Sequence, residues 1–573
     1  MGRSTLCCFL LLLNLSSPEA FELQLSGLTT ELRKNVVSHL EPLIKDEKVL
    51  DGRLRVRVEE GIHQALRAHG YYAPRIVSLR TVVQPLALKV HIEPGRALKI
   101  AGVNITLNGE ATEDLLYQAL LKRDPPAIGD LLDHGQFDRF LSQLSNLAAH
   151  RGYFDAELIK AELQVVPSRY QAFWSITFNS GKRYCFGAVT LQGSPFEPKL
   201  IQTLIPFKAG EPYTVEGMLE LSRRLSATQW FNSVTVIPQF EHRKENDCLP
   251  LLVLVTPRQP NNIELGLGYA SGRGVGFQSN WRKPWINRLG HSVESRLQLA
   301  KPEQQLKVTY RWPLLKNPLE QYYLFSAGFE NRRENDTCSK AWTVDLARYW
   351  DLWSGWQPAL NLHWRGDHFT QGTQAPTTSY LLYPSVSINR IRQRGGLMPD
   401  WGDSQHYTID FSNQLWRSAV TFSRFQLKNS WIRTSKQRHR CLIRLNAGWM
   451  NTGNFSRIPA SLRFFAGGDG SVRGYLNRTL SPKDAQGKLT GASRLATGSV
   501  EYHYPLMEAW WLALFVDSGV AAHKLTKQAI KHGSGFGLRW SSPIGPIRLD
   551  IARAIGDRQQ RKLQFYLAFG AEL

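Results

Sequence analysis

The second half of this sequence alternates between apolar and polar residues. Over residues 259–573, segments with an apolar residue at every second position are separated by Gly, Pro, Asn and Asp. Residues 547–551, for example, put aliphatic side chains on one face and charged side chains on the other. A period of two predicts β-strands, and it restricts this half of the chain to a β-sandwich or a β-barrel.

Periodicity leaves both architectures open, because a charged face suits either the outside of a soluble sandwich or the lumen of a membrane barrel. The signal-like N-terminus, the length of residues 259–573, and the 17 Trp and 19 Tyr available for interfacial girdles favour the barrel. A membrane strand with its connection takes roughly 20 residues. The sequence therefore predicts an all-β transmembrane barrel of about 16 antiparallel strands.

The N-terminus predicts export. Arg3, an apolar run at residues 6–13 and small residues up to Ala20 are typical of a cleavable signal peptide over residues 1–20, with a buried helix as the alternative. No later run approaches the roughly 18 to 20 apolar residues that a membrane-spanning helix requires. If the protein spans a membrane, we expect it to do so with strands.

One pattern recurs three times ahead of the alternating half. Each copy opens with a short strand that runs into glycine, continues with amphipathic helical stripes, and then has an aromatic pair followed by alternating strands. The aromatic pairs are Tyr71–Tyr72, Tyr153–Phe154 and Trp230–Phe231. The predicted order in each copy is strand, helix, helix, strand, strand.

This order resembles the POTRA domain, a periplasmic module that outer-membrane assembly and secretion barrels carry in tandem. A generic small α+β repeat is the alternative. The predicted organisation is a signal peptide (1–20), three α+β POTRA-like repeats (21–95, 96–180 and 181–258) and the barrel (259–573). A sheet of few strands exposes an edge to which an extended segment can add. The repeats are therefore docking surfaces or, alternatively, rigid spacers.

A glycine-rich segment at residues 464–475 predicts a loop with unusual backbone angles. Its core resembles the loop motif of the superfamily that inserts or translocates outer-membrane proteins, where the loop folds back into the lumen. The motif residues are Val472, Arg473, Gly474 and Tyr475.

An arginine inside a barrel must be paired, because an isolated desolvated charge costs several kcal/mol. Glu501 and Asp517 match the strand acids that receive the loop arginine in that superfamily. Bidentate pairing would hold the loop more firmly than a lysine could. The alternative is that both acids merely line a wet lumen.

Residues 225–234, 313–323 and 394–399 carry a wider resemblance, to the TamA family of outer-membrane subunits of the translocation and assembly module. This resemblance covers nearly all of the mature chain. It implies an outer-membrane location with periplasmic repeats, a TamB-like partner anchored in the inner membrane, and unfolded outer-membrane protein clients, including autotransporters. Lipid traffic along the partner, a two-partner-type secretion pore and a porin-like channel remain alternatives.

The same family implies a weak seam between the first and last barrel strands, where client strands could form on an exposed edge. Glycine in a strand interior lacks side-chain packing, so Gly570 is expected to weaken this seam further. The predicted seam residues are Ile263, Leu265, Leu267, Phe565, Leu567, Phe569 and Gly570.

Charge and motif content exclude other classes. The formal charge of +22 is scattered through alternating segments, which suits contact with anionic outer-membrane lipid and lipopolysaccharide better than with nucleic acid. The sequence has no GxSxG, HExxH or GxxxxGK motif, so we expect no enzyme activity. With no CxxC pair and no His at metal-ligand spacing, we also expect no metal site. We expect no cofactor. Cys185 and Cys248 lie in one repeat, and whether they form a disulfide stays open.

Overall fold

The computed structural model describes ten parts of the chain: residues 22–44, 51–83, 86–242, 247–270, 274–396, 398–436, 438–543, 545–557, 560 and 562–569. The predicted signal peptide and Gly570 lie outside the described residues. Contacts divide the chain into two compact units, one dominated by the first two repeats and one by the barrel. The third repeat contributes to both units.

The first repeat is a three-stranded sheet covered by two helices. Its helix stripe is buried as the spacing predicts, with Leu54, Val58 and Ile62 in the core. The last strand lies in the middle of the sheet, parallel to the first and antiparallel to the second. The elements are β1 (Glu22–Ser26), α1 (Thr30–Ile44), α2 (Gly52–Arg67), β2 (Arg75–Val83) and β3 (Leu86–Glu93).

The second repeat has the same order and the same sheet arrangement, β4-β6-β5. Trp174 fills its core, with its ring centroid 5.1 Å from that of Phe137 and 5.8 Å from that of Phe140. The elements are β4 (Lys99–Asn108), α3 (Leu115–Arg123), α4 (His134–Arg151), β5 (Glu157–Val166) and β6 (Gln171–Asn179).

In the second repeat a buried carboxylate, Asp114, connects the start of α3 to the end of α4. It caps α3 by accepting from the Leu116 amide at 3.0 Å, and it accepts from Arg151 Nε at 3.0 Å and from the Tyr153 hydroxyl at 3.2 Å. Burial raises the pKa of Asp114. The Leu116 hydrogen bond and the Arg151 guanidinium outweigh that effect, so the pKa lies below its ordinary value.

The third repeat forms a sheet in the order β7-β9-β8. Cys185 and Cys248, left open by the sequence, form a disulfide that joins its first and last strands. The elements are β7 (Cys185–Gln192), α5 (Pro198–Gln202), α6 (Val215–Ala227), β8 (Phe231–Pro238) and β9 (Cys248–Pro257). In each repeat the last strand is central, so β2, β5 and β8 are edge strands.

The second half forms one sheet of sixteen strands, each antiparallel to the next. The prediction of an all-β barrel of about 16 strands after three α+β repeats is confirmed. The strands are β10 (Asn262–Ala270), β11 (Gly274–Lys283), β12 (Ser292–Ala300), β13 (Glu303–Pro313), β14 (Gln321–Glu334), β15 (Thr337–Trp350), β16 (Gln357–Gln371), β17 (Thr377–Arg394), β18 (Trp401–Ser412), β19 (Phe422–Thr434), β20 (Arg440–Thr452), β21 (Arg494–Met507), β22 (Trp510–Ala522), β23 (Lys531–Ser542), β24 (Gly545–Ile555) and β25 (Gln564–Phe569).

The two faces of this sheet differ as the alternation predicts. On β23, Phe536 and Leu538 are exposed on the outer face, whereas Arg539 is 1% exposed on the inner face. On β24, Leu549 is exposed and Asp550 is buried. Apolar side chains therefore cover the outside of the barrel, and charged side chains meet inside it.

None of the helices in the described part of the chain is long and apolar enough to cross a membrane.

Candidate functional site

A long loop between β20 and β21 folds back into the barrel. At its tip the Gly467 amide donates to Ser471 Oγ at 2.8 Å, and the Gly468 amide donates to the Val472 carbonyl at 3.1 Å. Gly467 and Gly468 have φ of 107° and 93°, which other residues rarely adopt. The glycines therefore make the turn that directs Arg473 towards the barrel wall.

Arg473 lies at the centre of a buried ion-pair network and is 1% exposed. Its Nε and Nη2 donate to the two carboxylate oxygens of Asp517 at 2.7 and 2.9 Å, and its backbone amide donates to Asp517 Oδ2 at 2.9 Å. Its Nη1 donates to Glu501 Oε2 at 2.7 Å. The guanidinium carbon also lies 3.3 Å from the centre of the Phe515 ring. The structure thus brings the loop arginine to both acids that the resemblance implies.

A second arginine and a third acid, which sequence reasoning did not assign to the site, complete this network. Arg539 donates to Glu501 Oε1 from Nε at 2.9 Å and to Asp550 Oδ1 from Nη1 at 2.6 Å. Asp550 also accepts from Arg473 Nη1 at 3.3 Å. Arg473 and Arg539 therefore share three carboxylates, which offsets the desolvation of each charge. Arg444 Nη2 also lies 3.9 Å from Glu501 Oε2.

The network continues towards the rim at which β10 begins. His503 Nε2 lies 2.6 Å from Glu501 Oε1, and His503 Nδ1 lies 2.9 Å from Arg440 Nη1. Because arginine can only donate, Nδ1 accepts and Nε2 carries the hydrogen that Glu501 receives. Arg440 Nη2 donates to the Pro399 carbonyl at 2.9 Å, in the connection between β17 and β18. Hydrogen bonds therefore link the loop tip to this rim.

The other motif residues fit against β22 to β25. Val472 is buried against Gly519, and Gly474 has a φ of 94° and packs on the backbone of Arg553 and Ala554. The Gly474 amide donates to the Tyr566 hydroxyl at 2.9 Å, and that hydroxyl donates to the Tyr475 carbonyl at 2.7 Å.

Gly533 on β23 makes the close approach of the loop possible. A Cβ at this position would overlap the carbonyl oxygen of Arg473. Only a strand without a side chain at this position lets the loop backbone lie on the barrel wall.

The predicted seam lies between the first and last strands of the sheet. β10 and β25 approach to within 8 Å between Cα atoms, but among the described residues no hydrogen-bonded ladder joins them. β25 is six residues long, against 14 residues for both β14 and β15. The seam is thus the weakest junction in the described part of the barrel.

The six described residues of the predicted seam all point outwards. Leu267 is 77% exposed, and residues 262–269 of β10 are exposed whether they face outwards or towards the lumen. Gly570 falls outside the described residues, so its predicted effect stays a prediction. The exposed apolar residues of the seam are Ile263, Leu265, Leu267, Phe565, Leu567 and Phe569.

The sequence did contain a signal for the missed residues. Arg539 and Asp550 occupy polar positions of alternating strands, so their inward direction was predicted. Their contact with Arg473 depends on the register of β23 and β24, which pairs Gly537 with Asp550 and Arg539 with Arg548. Alternation along one strand carries no information about that register.

Two family models match the chain. The Omp85 superfamily domain matches residues 259–572, and the first POTRA domain of TamA matches residues 22–94. Outer membrane protein assembly factor BamA from Nitratidesulfovibrio vulgaris is 35% identical over 126 residues. That match covers 20% of this chain and 16% of the relative, so the chain spans a small part of that relative's length.

One solved structure shows the same fold at low identity. The crystal structure of BamA from Haemophilus ducreyi lacking POTRA domains 1-3 matches with a TM-score of 0.70 and 15% identity, covering 82% of this chain and 99% of that chain. CdiB from Acinetobacter baumannii matches with a TM-score of 0.48 and 12% identity, covering 83% of this chain and 90% of that chain. With the barrel and its lumen loop in view, the match over residues 259–572 shows that this chain belongs to the Omp85 superfamily, and its first repeat is a POTRA domain of the TamA type.

Proposed function

We propose that this chain is the outer-membrane component of a translocation and assembly module, which helps unfolded outer-membrane proteins, including autotransporters, to insert. Its barrel spans the outer membrane and its three repeats extend into the periplasm. The observation that carries the proposal is the seam, where β10 and β25 lie close together and no hydrogen-bonded ladder joins their described residues. The task requires no bond chemistry.

The physical reason lies in the backbone of the client. A nascent strand that enters hydrocarbon must have its N–H and C=O groups satisfied, since each unpaired group costs several kcal/mol there. A β10 edge that is weakly held on one side offers such partners. Client strands would pair with this edge and be released as a closed barrel.

The buried loop network suits this mechanism because it stabilises the wall next to the seam. Arg473 ties the loop to β21, β22 and β24 through Glu501, Asp517 and Asp550. Opening at β10 and β25 would then leave the rest of the barrel intact. We propose that the network acts as a fixed frame against which the seam opens.

The repeats are the proposed contact for a TamB-like protein anchored in the inner membrane. Support comes from the match of the first repeat to TamA and from the edge strands β2, β5 and β8. An extended partner segment would add to one of these edges by main-chain hydrogen bonds.

Locking the seam tests the proposal. Cysteine pairs are made with one member at Leu265 or Leu267 and the other at Phe565 or Leu567, in a Cys338→Ser, Cys441→Ser background, and the pair that oxidises best is chosen. The full chain is placed in liposomes, and insertion of an unfolded autotransporter barrel domain is followed. We expect the oxidised seam variant to lose insertion and the reduced variant to regain it.

A matched control locks an interior junction of the same barrel. Ser404→Cys with Ser430→Cys joins a directly opposed pair of β18 and β19, and this variant should keep full activity. The cysteine background without a seam pair controls for reduction of the Cys185–Cys248 disulfide. Full insertion with the seam locked would refute the proposal. If lipid transfer between vesicles were lost instead, the alternative of a lipid-transport channel would be favoured.

A further inference from the structure

On the outer face of β17, three arginines come after the apolar residues. They lie at the rim of the barrel where β10 begins. Val386 and Ile388 occupy successive outward positions and are exposed. The next outward positions on the same strand are Arg390, Arg392 and Arg394. The surface therefore changes from apolar to basic within about 7 Å along the strand, which is the rise of two residues.

Strand register adds a fourth arginine and two tryptophans to the same face. Trp401 lies opposite Arg394 on one side and Arg433 on the other. In the next row, Asp403 lies opposite Arg392 and Trp431. These residues belong to β17, β18 and β19, and we call the set Arg390, Arg392, Arg394, Arg433, Trp401 and Trp431 the basic–aromatic patch.

The patch has excess positive charge. Among the described residues, Asp403 is the one carboxylate within salt-bridge distance of its arginines: Arg392 Nη2 lies 2.7 Å and Arg433 Nη2 lies 3.9 Å from Asp403 Oδ2. Arg390 instead donates to the carbonyl and hydroxyl of Ser354 at 3.0 and 2.8 Å. Four guanidinium groups thus face a single carboxylate, and an anion would balance them.

The tryptophans keep the arginines together despite their like charge. The guanidinium carbons of Arg392, Arg394 and Arg433 lie 5.2, 5.3 and 4.8 Å from the centre of the Trp401 ring. Arg390 lies in the same way 4.9 Å from the ring of Trp356. Cation–π contacts of this kind hold a guanidinium in place. Arg390 and Arg392 use Nε and Nη2 in the contacts with Ser354 and Asp403, which leaves their Nη1 groups available. Arg394 makes no side-chain hydrogen bond in the described part of the chain, so its whole guanidinium edge can bind a phosphate.

Unused acceptors lie in the row beside Arg390. Gln405 lies opposite Arg390 and Asn429 lies opposite Gln405, so both belong to the same face. Gln405 Oε1 and Asn429 Oδ1 are buried and have no hydrogen-bond partner in the described part of the chain. A buried acceptor without a partner costs free energy, which a ligand hydroxyl would recover once a covering side chain moved aside to admit it.

We propose that the basic–aromatic patch binds the headgroup of an anionic glycerophospholipid that carries free hydroxyls, such as phosphatidylglycerol. The arginines bind the phosphodiester, Gln405 and Asn429 accept from the headgroup hydroxyls, and Val386 and Ile388 contact the acyl chains. Arginine pairs with phosphate through two parallel hydrogen bonds, and tryptophan favours the headgroup level of a bilayer. The choice of a glycerophospholipid over lipopolysaccharide rests on the proposed orientation, because the chain passes from the third repeat into β10 at this rim.

Lipid retention by the full chain tests the proposal. The protein is purified in detergent with equimolar phosphatidylglycerol and phosphatidylethanolamine, and bound lipids are counted by native mass spectrometry. We expect the wild type to retain phosphatidylglycerol preferentially. Arg390→Gln with Arg394→Gln, which keeps the Arg392–Asp403 pair, should lower that retention about tenfold.

The matched control removes two exposed arginines from the opposite rim, Arg417→Gln with Arg457→Gln, so the net charge changes equally. This control should retain phosphatidylglycerol like the wild type. An equal loss in both variants, or no loss in the first, would overturn the proposal, and so would displacement of the bound lipid by lipopolysaccharide. Heat-modifiable gel mobility checks folding, and client insertion measured in parallel separates this proposal from the proposed function.

Discussion

Two strands of the barrel, β23 and β10, carry glycines on their lumen face. The glycines of β23 lie against other atoms, whereas those of β10 face open space. On β23, a Cβ at Gly533 would overlap the Arg473 carbonyl, and one at Gly535 would come within 2.7 Å of the Phe515 ring. On β10, a Cβ at Gly268 would meet nothing within 4 Å, and one at Gly266 would meet only the Cβ of Gln278, at 4.0 Å.

The comparison separates two uses of the same residue. In β23 the missing side chain makes room for a loop, and the close approach lets a buried network form. In β10 the missing side chain leaves the strand without packing and free to bend. We infer that stability in this barrel is concentrated next to the loop, up to β25, and is low at β10 on the other side of the seam.

The largest effect is expected when Arg473, the central residue of the loop network, is replaced. Arg473→Ala leaves Glu501, Asp517 and Asp550 buried with one cation fewer, and we expect a loss of about 3–5 kcal/mol in the free energy of unfolding. Arg473→Lys should recover part of this, because lysine keeps the charge but cannot pair bidentately. Urea unfolding of the full chain in detergent measures both, and a loss below about 1 kcal/mol for Arg473→Ala would contradict the comparison.

A smaller effect distinguishes the two sets of glycines directly. Gly533→Ala should destabilise the barrel by about 1–3 kcal/mol, because the new methyl group displaces the Arg473 backbone. Gly268→Ala is the matched control, since it enters open space, and it should have no destabilising effect. If both variants unfolded at the same urea concentration, the distinction between the crowded glycines of β23 and the uncrowded glycines of β10 would be wrong.

Lowering the pH tests whether Asp114, a buried carboxylate outside the barrel, stabilises the fold as the carboxylates of the loop network do. The pKa of Asp114 is lowered in the folded state, so its contribution is complete above the unfolded value and is lost as the pH falls through the folded value. Asp114→Asn should cost about 1–3 kcal/mol near neutral pH and should remove that part of the acid sensitivity.

Hydrogen exchange of the full chain over residues 110–155, compared between neutral and acidic pH, measures this effect. Equal acid sensitivity in the Asp114→Asn variant and the wild type would contradict the role given to this carboxylate. The barrel amides of both proteins serve as the internal control.

The smallest effect is expected at the seam itself. Gly266→Ala with Gly268→Ala should stiffen β10 by about 1 kcal/mol or less and slow its amide exchange several-fold, with little change in global stability. Hydrogen exchange of residues 262–270 measures this, with β14 as the internal reference. Unchanged exchange in β10 would mean that glycine is not what keeps this strand loose.

Much of the fold could be predicted because its signals are local. A period of two sets which side chains of a strand share a face, so the placement of Phe536 and Arg539 on opposite faces of β23 follows from the sequence. The helix stripe of Leu54, Val58 and Ile62 is buried for the same kind of reason. The order of strands within each small sheet was not predicted, because pairing joins residues that are far apart in the chain.

The candidate site divides in the same way. Resemblance supplied Arg473, Glu501 and Asp517, whereas Arg539 and Asp550 entered the network only through the pairing of neighbouring strands. The sequence does not decide whether Cys185 and Cys248 form a disulfide, whereas the structure does, because β7 and β9 are neighbours in one sheet. The basic–aromatic patch likewise joins residues of three strands that no single segment reveals.

The sequence by itself determined the strand and helix types, their order, and which side chains share a face of a strand or helix, because these depend on spacing along a few residues. Only the tertiary structure decided which charges share a carboxylate, where a glycine is crowded and where it is free, and where the ladder of the barrel stops. Those outcomes depend on register and on closure of the sheet, which are set by contacts between distant residues.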